Sequence, residues 1–562
     1  MSVIDVAIVG AGFAGLAMAG ALRRAGRDDI VVLERADDVG GTWRENTYPG
    51  VACDVPAHLY SLAAHPNARW SRTFAPGGEI QAYLRDVAAR EGLGDRLRLR
   101  TPLLGAWWDS AGSLWRLDTG ADEPLLARSL VLACGRLTEP HVPDIPGLES
   151  FGGPIFHTAR WDHDVDLTGQ RVAVVGTGAS AVQLVPELAR RAGHVTLFQR
   201  SPAWIVPRGG DDIAEADREH LATHPGDLAR LRADLYAEGE QRYASRSGDA
   251  AASAAARAVA LDHLHAQVAD PALRAVLTPD YAFGCKRVLL SDAFYPAVAS
   301  DAVTLEPTAL AAVDGSTLTA VSARSHDADV LVLATGFAST QQPYADLVHG
   351  EVETLAAHWS RGMTSFGSTV VAGFPNLFVL NGPNASLGHN SAVLMAEEQA
   401  AYVVRALCER DRRSAPVLRV RPEAEAAYTD EIAAAAASTP WLTGGCRNWY
   451  VDDRSGRLTL LWPGTVQAFR ERLAGTDGSE FEPAHAPHVV TAASGIAPAT
   501  PAARPTRATA PAKPLDATPT LGPTAARPTR ATAPAEPVDA TSTLRPTTAA
   551  QPTISTPAHP HA

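Results

Sequence analysis

The sequence predicts an α/β protein made of two dinucleotide-binding, Rossmann-like domains, with a helical insertion in the second and a disordered C-terminal tail. Three observations predict it. A glycine-rich turn, Gly10-Ala11-Gly12-Phe13-Ala14-Gly15, follows a strand-like run; a second, Gly176-Thr177-Gly178-Ala179-Ser180-Ala181, repeats the pattern; and Asp329–Phe337, DVLVLATGF, reads as a late buried strand. The expected boundaries are residues 1–145 and 336–481 for a discontinuous first domain, 146–335 for the second with its insertion at about 210–278, and 482–562 for the tail.

The first domain opens with Val3–Val9, whose clustered β-branched residues suit a buried strand. After the turn an Ala/Leu helix runs to about Arg24, a second strand spans Ile30–Leu33, and Glu34 follows. Gly10, Gly12 and Gly15 permit a tight turn and close backbone approach, the helix N-terminus faces a pyrophosphate, and Glu34 can accept from ribose hydroxyls.

The second copy begins at Arg171. Strand Val172–Val175 leads into the turn and a helix, and strand Val195–Phe198 ends in Gln199-Arg200-Ser201. The step from Gly10 to Glu34 equals that from Gly176 to Arg200, 24 residues in each. The two sites end in opposite charge. A carboxylate repels a ribose phosphate and suits FAD or NAD, whereas Arg200 with the Ser201 hydroxyl can pair with the 2′-phosphate of NADP. The first site is therefore assigned to FAD and the second to NADPH, with Thr177, Ala179 and Ser180 completing the second turn.

Between residues 208 and 277 the chain turns Ala-, Arg- and acid-rich, as a helical insertion would. From about Glu482 it turns to Ala, Pro and Thr, and ARPTRATAPAKPLDAT at Ala503 recurs as ARPTRATAPAEPVDAT at Ala526. Such a repeat holds too few large apolar residues for a core.

A net charge of −13 argues against nucleic acid or an anionic membrane as partner. The apolar start lacks the basic leader of a signal peptide and is broken by glycines, and no later run is long enough to span a membrane. The cysteines, Cys53, Cys134, Cys285, Cys408 and Cys446, are scattered; neither a disulfide framework nor a metal site is expected, and a reducing cytoplasm fits.

The stretch Phe151–Asp162, FGGPIFHTARWD, spells F-x-G-x-x-x-H-x-x-x-W-D, with Phe151, Gly153, His157, Trp161 and Asp162 at the fixed places. It resembles the fingerprint of the type I Baeyer–Villiger monooxygenases, flavin enzymes that insert one oxygen atom beside a ketone carbonyl. GGTWRENTYPGVACDVPAHLYS at Gly40–Ser61, FAPGGEIQAYL at Phe74–Leu84, the Lys286-Arg287 pair, and the Arg447–Tyr450 and Leu461–Gly464 segments also resemble that family. The resemblance covers roughly residues 1–475.

It implies that Thr42 and Trp43 border the flavin, that Asp54 lies where flavin and nicotinamide meet, and that Tyr60 touches the isoalloxazine side. By the same resemblance Lys286 helps hold the NADP phosphate, Arg287 is the catalytic cation steadied by Asp54, and Trp449 sits on a loop closing over NADP. Asn448, where many members have a small residue, departs from the pattern. His157 is assigned to coupling the domains. His389, before an expected helix, reads equally as a base or as a helix-start hydrogen-bonding residue.

The expected reaction uses NADPH and O2 to convert a small-molecule ketone to an ester or lactone through a flavin peroxide. A flavin-containing monooxygenase of amines or sulfides is the alternative; it needs neither Trp161-Asp162 nor Arg287. A disulfide reductase would need a redox cysteine pair near the flavin, and a non-catalytic redox sensor would not need Asp54, Lys286 and Arg287 together. Which ketone is used, and the number of subunits, are not legible in the residues.

Overall fold

Strand Val3–Val9 takes the centre of the first sheet because Val6, Ala7 and Ile8 are apolar toward both faces, and all three are fully buried. In the computed structural model, which describes residues 3–210, 212–413 and 417–483, it pairs in parallel with Ile30–Leu33 on one side and Leu125–Leu132 on the other. Leu125–Leu132 continues the sheet through an antiparallel meander, Leu114–Asp118 and Gly105–Asp109, which the strand patterns had not announced. Leu377–Val379 then returns to pair in parallel with Leu130–Leu132. Helix Phe13–Arg24 packs against helix Ala392–Arg412, so residues from both ends of the described chain share one core.

The second sheet is all parallel. Its order is Val303–Glu306, His194–Phe198, Arg171–Val175, Val330–Leu333 and Ile155–His157. Ile155–His157 belongs to the fingerprint stretch, which is thus an edge strand as well as a connection between sheets. Its residues have distinct structural duties. Phe151 packs in the core with Ala173, Phe198 and Leu331. A Cβ at Gly153 would stand 2.1 Å from the Asp329 carbonyl oxygen, and Trp161 meets Phe156 edge-on with ring centroids 4.9 Å apart. Asp162 accepts the Asp164 N–H and shapes the turn that follows.

The insertion consists of helices Glu215–Thr223, Pro225–Gln241, Tyr243–Ser247, Ala250–Gln267 and Pro271–Leu277. Asp249 and Asp270 cap the last two by accepting the N–H groups of Ala252 and Ala272. Alanine is a good helix former but leaves little apolar stripe, so the helix phase was not readable in this stretch.

Two further outcomes bear on the sequence reading. Cys285 and Cys446 form a disulfide, with Cα atoms 6.2 Å apart and 161 residues of sequence between them, contrary to the expectation from scattered cysteines. Spacing rules detect local pairs, whereas this one is assembled by the fold. Of the repeat tail expected from residue 482, everything beyond residue 483 lies outside the described residues. No helix among the described residues is long and apolar enough to cross a membrane.

Candidate active site

Both glycine turns sit at the carboxyl ends of parallel strands, where a helix N-terminus faces the open end of the sheet. Gly10 has φ +106°, and a Cβ there would come to 2.5 Å of the Ala133 oxygen; one on Gly15 would come to 1.8 Å of the Gly10 oxygen. Gly176 repeats this at φ +110°, with the Ala334 oxygen 2.6 Å from the would-be Cβ. At Gly178 a Cβ would meet nothing within 4 Å, which leaves an open cradle at the N-terminus of helix Ala179–Ala189. These shapes fit pyrophosphates.

The carboxylate of Glu34 is buried and accepts the N–H groups of Ala11, inside the first turn, and of Ala36. At the second site Lys286 donates from Nζ to Ser201 Oγ over 2.7 Å, and Thr177 Oγ1 donates to the Ser201 carbonyl over 2.9 Å. Lys286 lies 4.7 Å over the Tyr281 ring, and its pKa is lowered, first by burial and then by Arg200. Arg200 and Lys286 therefore share one small region, and neither enters an ion pair among the described residues. Two neighbouring cations beside a serine and an open helix N-terminus are a donor set for a phosphate.

Between the two turns lies the closest charge pair of the candidate site. Arg287 donates from Nε to Asp54 Oδ2 over 2.8 Å and from Nη2 to Oδ1 over 2.7 Å, a two-pronged grip across 233 residues of sequence. The field of Asp54 outweighs burial and drives the guanidinium pKa further above its ordinary value. Arg287 thus stays charged, and the pair is only partly exposed.

The peptide carrying Asp54 is itself held. Arg208 donates from Nη2 to the Cys53 carbonyl over 3.2 Å while its guanidinium covers the Phe74 ring. Gln183, on the helix that starts at Ala179, donates from Nε2 to the Ala52 carbonyl over 2.9 Å and accepts the Tyr48 hydroxyl at 2.8 Å. Sequence reading missed Arg208 and Gln183. The only signal was their place, one after the second strand pair and one in the second helix.

Trp43 donates from its indole to the Tyr60 hydroxyl at 3.3 Å, and Phe13 meets the Tyr60 ring edge-on at 4.9 Å. Burial raises the Tyr60 pKa, so its phenol stays protonated. Thr42 starts the short helix Thr42–Glu45 and is exposed beside this aromatic group. Trp449 is 37% exposed on its loop, whereas the adjoining Tyr450 is buried and has its pKa pushed up to about 12 by burial, with Arg287 pulling it down. Asn448 anchors that loop by donating to the Trp441 carbonyl at 2.8 Å and accepting the Tyr450 N–H.

His157 stands apart from this group. Its Nδ1 accepts the Ala159 N–H at 3.0 Å, its ring meets Phe337 edge-on, and Nε2 is buried near the Gly336 backbone. Burial, helped by Arg160, lowers its pKa to about 4, so it is neutral at pH 7. Nearby, Arg160 pairs with Glu45 at 3.2 Å and His163 shares a 2.7 Å hydrogen bond with Thr47, joining the fingerprint to the helix that bears Trp43. His389 is buried 3.4 Å from Glu240. Burial would raise the Glu240 carboxyl, yet donation from His389, Asn390 and the N–H groups of Val466 and Gln467 brings it down to about 2. Glu240 thus ties the insertion both to His389 and to the start of helix Val466–Ala474.

Known proteins resemble this arrangement along most of the described chain. Residues 7–209 match the family model described as pyridine nucleotide-disulphide oxidoreductase. A Baeyer–Villiger monooxygenase of Streptomyces coelicolor is 43% identical over 483 residues, 85% of this chain and 92% of that protein. Another, from Pseudomonas aeruginosa, is 39% identical over 477 residues, 85% of this chain and 90% of that one. A solved steroid monooxygenase bound to NADP is 31% identical, with a TM-score of 0.74 over 84% of this chain and 97% of its own. Likeness at this level across both sheets and the insertion shows that the chain belongs to the Baeyer–Villiger monooxygenase family.

Proposed function

We propose that the protein uses FAD, NADPH and O2 to convert a ketone to an ester or lactone, with NADP⁺ and water as the other products. The observation that carries this reading is the two-pronged Asp54–Arg287 pair set between two dinucleotide-shaped turns. We assign residues 1–145 and 336–481 to FAD and 146–335, with the insertion at about 210–278, to NADP.

FAD would be held by Gly10, Gly12, Gly15 and Glu34, with Thr42, Trp43 and Tyr60 beside its ring, and when bound it supplies activation of O2 at the expense of NADPH. NADP would be held by Gly176, Thr177, Gly178, Ala179 and Ser180, with Arg200, Ser201 and Lys286 on its 2′-phosphate and Trp449 over it. Arg287 is the catalytic residue: its fixed charge stabilises negative charge that develops on oxygen as the carbonyl is attacked. Asp54 positions Arg287, since both its oxygens are committed to that guanidinium. A cation held in place beforehand costs little reorganisation at the moment of reaction.

His157 acts as a positioning residue at the domain connection; a neutral imidazole facing Phe337 is not placed to exchange a proton with the ketone. The enzyme is assigned to the cytoplasm, where NADPH is regenerated. There the Cys285–Cys446 bond meets a thiol-reducing poise.

Product analysis with isotopically labelled O2, FAD, NADPH and a panel of ketones, a thioether and a tertiary amine tests the reading. An ester or lactone carrying one labelled atom supports it. Labelled sulfoxide or amine oxide with no ester from any ketone overturns it in favour of an N- or S-monooxygenase.

A further inference from the structure

The insertion carries a half-buried cation that the roles above leave unused. Arg246, on helix Tyr243–Ser247, lies against the segment that ends in Arg287. Its guanidinium sits 4.8 Å over the Phe283 ring, and its Cα and Cδ cover Gly284, where an added Cβ would stand 3.4 and 3.6 Å from them. Nη1 donates to Ser245 Oγ at 3.1 Å, and Nε is buried without any acceptor. Arg242, one turn earlier, pairs with Glu238; Arg246 enters no ion pair among the described residues.

The charges it feels make this more unusual. Burial, then Arg287, then Arg242 hold its pKa down to about 10, while Tyr450 pulls the other way. A guanidinium drawn partly out of water beside a second cation normally has a carboxylate or several carbonyl oxygens, because removing charge from water without a partner is costly. Asp54 cannot serve, since Arg287 occupies both of its oxygens. The region around Arg287 therefore lacks one negative charge that the described chain does not provide.

We infer that Arg246 recognises the substrate, and that the preferred ketone carries a carboxylate which Arg246 binds while the carbonyl meets Arg287. The inference rests on the Baeyer–Villiger reading and narrows it to oxo acids. The planar guanidinium presents its terminal N–H groups in a geometry that matches a carboxylate.

The test compares straight-chain oxo acids with their own methyl esters, using FAD-loaded enzyme, NADPH and labelled O2. Wild type should show a kcat/KM for the best acid at least about 10-fold above that for its ester, as a charge-assisted contact predicts. Arg246→Met should lose about 100-fold on the acid and little on the ester, the usual cost of removing one partner of a buried charge pair, and Arg246→Lys should recover part of it. Equal or better use of the ester by wild type overturns the inference, as does an equal loss on both substrates in Arg246→Met. If Arg246→Met fails to load FAD, the wild-type ratio decides alone. If no ketone is oxygenated, the Baeyer–Villiger reading fails separately, and thermal stabilisation of wild type by the acid but not the ester still decides whether a carboxylate site exists.

Discussion

Tyr48 donates its phenolic hydrogen to Gln183 over 2.8 Å, and Gln183 in turn donates to the Ala52 carbonyl over 2.9 Å. The bond crosses from the loop that carries Asp54 to the helix that opens at the second glycine turn. Burial pushes the Tyr48 pKa up to about 12, so the donor keeps its proton at any working pH. Tyr48→Phe leaves the Gln183 oxygen unpaired and should cost roughly 1–3 kcal/mol in unfolding free energy. The NADPH concentration for half-maximal flavin reduction should rise as well. A cycle with Gln183→Leu checks the pairing: purely additive effects would mean that the two residues do not act together.

Arg287→Ala should retain FAD and lower ketone oxygenation by roughly 100–1,000-fold, the cost of removing a preorganised charge from a reacting oxygen. Asp54→Asn should fall in the same direction by less, since the guanidinium remains but is no longer held by charge. Stopped-flow and product analysis measure both. Oxygenation by Arg287→Ala at near the parent rate with bound flavin would remove Arg287 from the chemistry.

Arg200→Ala and Lys286→Met should each reduce the preference for NADPH over NADH by about 10–100-fold, as loss of a charge-assisted phosphate contact predicts. Initial rates with the two cofactors give the ratio. An unchanged ratio in both variants would place the 2′-phosphate elsewhere.

The Cys285–Cys446 bond closes a loop with a separation of 161 residues, and it joins the residue just before Lys286 to the loop that carries Trp449. Reduction with a dithiol should therefore lower unfolding free energy by about 2–4 kcal/mol. Cys446→Ser should show the loss without reductant and no further response to it. Thiol counting by mass confirms the state; a reduced chain with an unaltered unfolding transition would mean that the bond adds no stability.

His157 provides a pH test. Its pKa is about 4 in the folded chain, below the ordinary 6.5, because burial disfavours the imidazolium. Unfolding raises its affinity for protons, so its contribution is complete above pH 6.5 and is lost as pH falls from about 6.5 to about 4. The total is at most roughly 3 kcal/mol. His157→Asn, whose side-chain oxygen can still accept the Ala159 N–H, should flatten the acid limb of stability in that window. An identical limb in wild type and variant would assign the acid loss to other groups.

Much of the site was legible because dinucleotide binding constrains short stretches. The glycine spacings, Glu34 and Arg200 at matched offsets, and the order of strand, turn and helix are local requirements, so the sequence itself carries them. The resemblance of Phe151–Asp162 and of Lys286-Arg287 to one family narrowed the chemistry. Tertiary structure decided what depends on distant segments meeting. It placed Ile155–His157 as an edge strand, linked Cys285 to Cys446, and brought Arg208 and Gln183 to the peptide bearing Asp54. It also left Arg246 half-buried near Arg287 without a carboxylate. A glycine turn is written in consecutive residues because backbone sterics act locally. The balance of charge in a buried site depends on which side chains the fold brings within a few ångströms, and no local pattern records that.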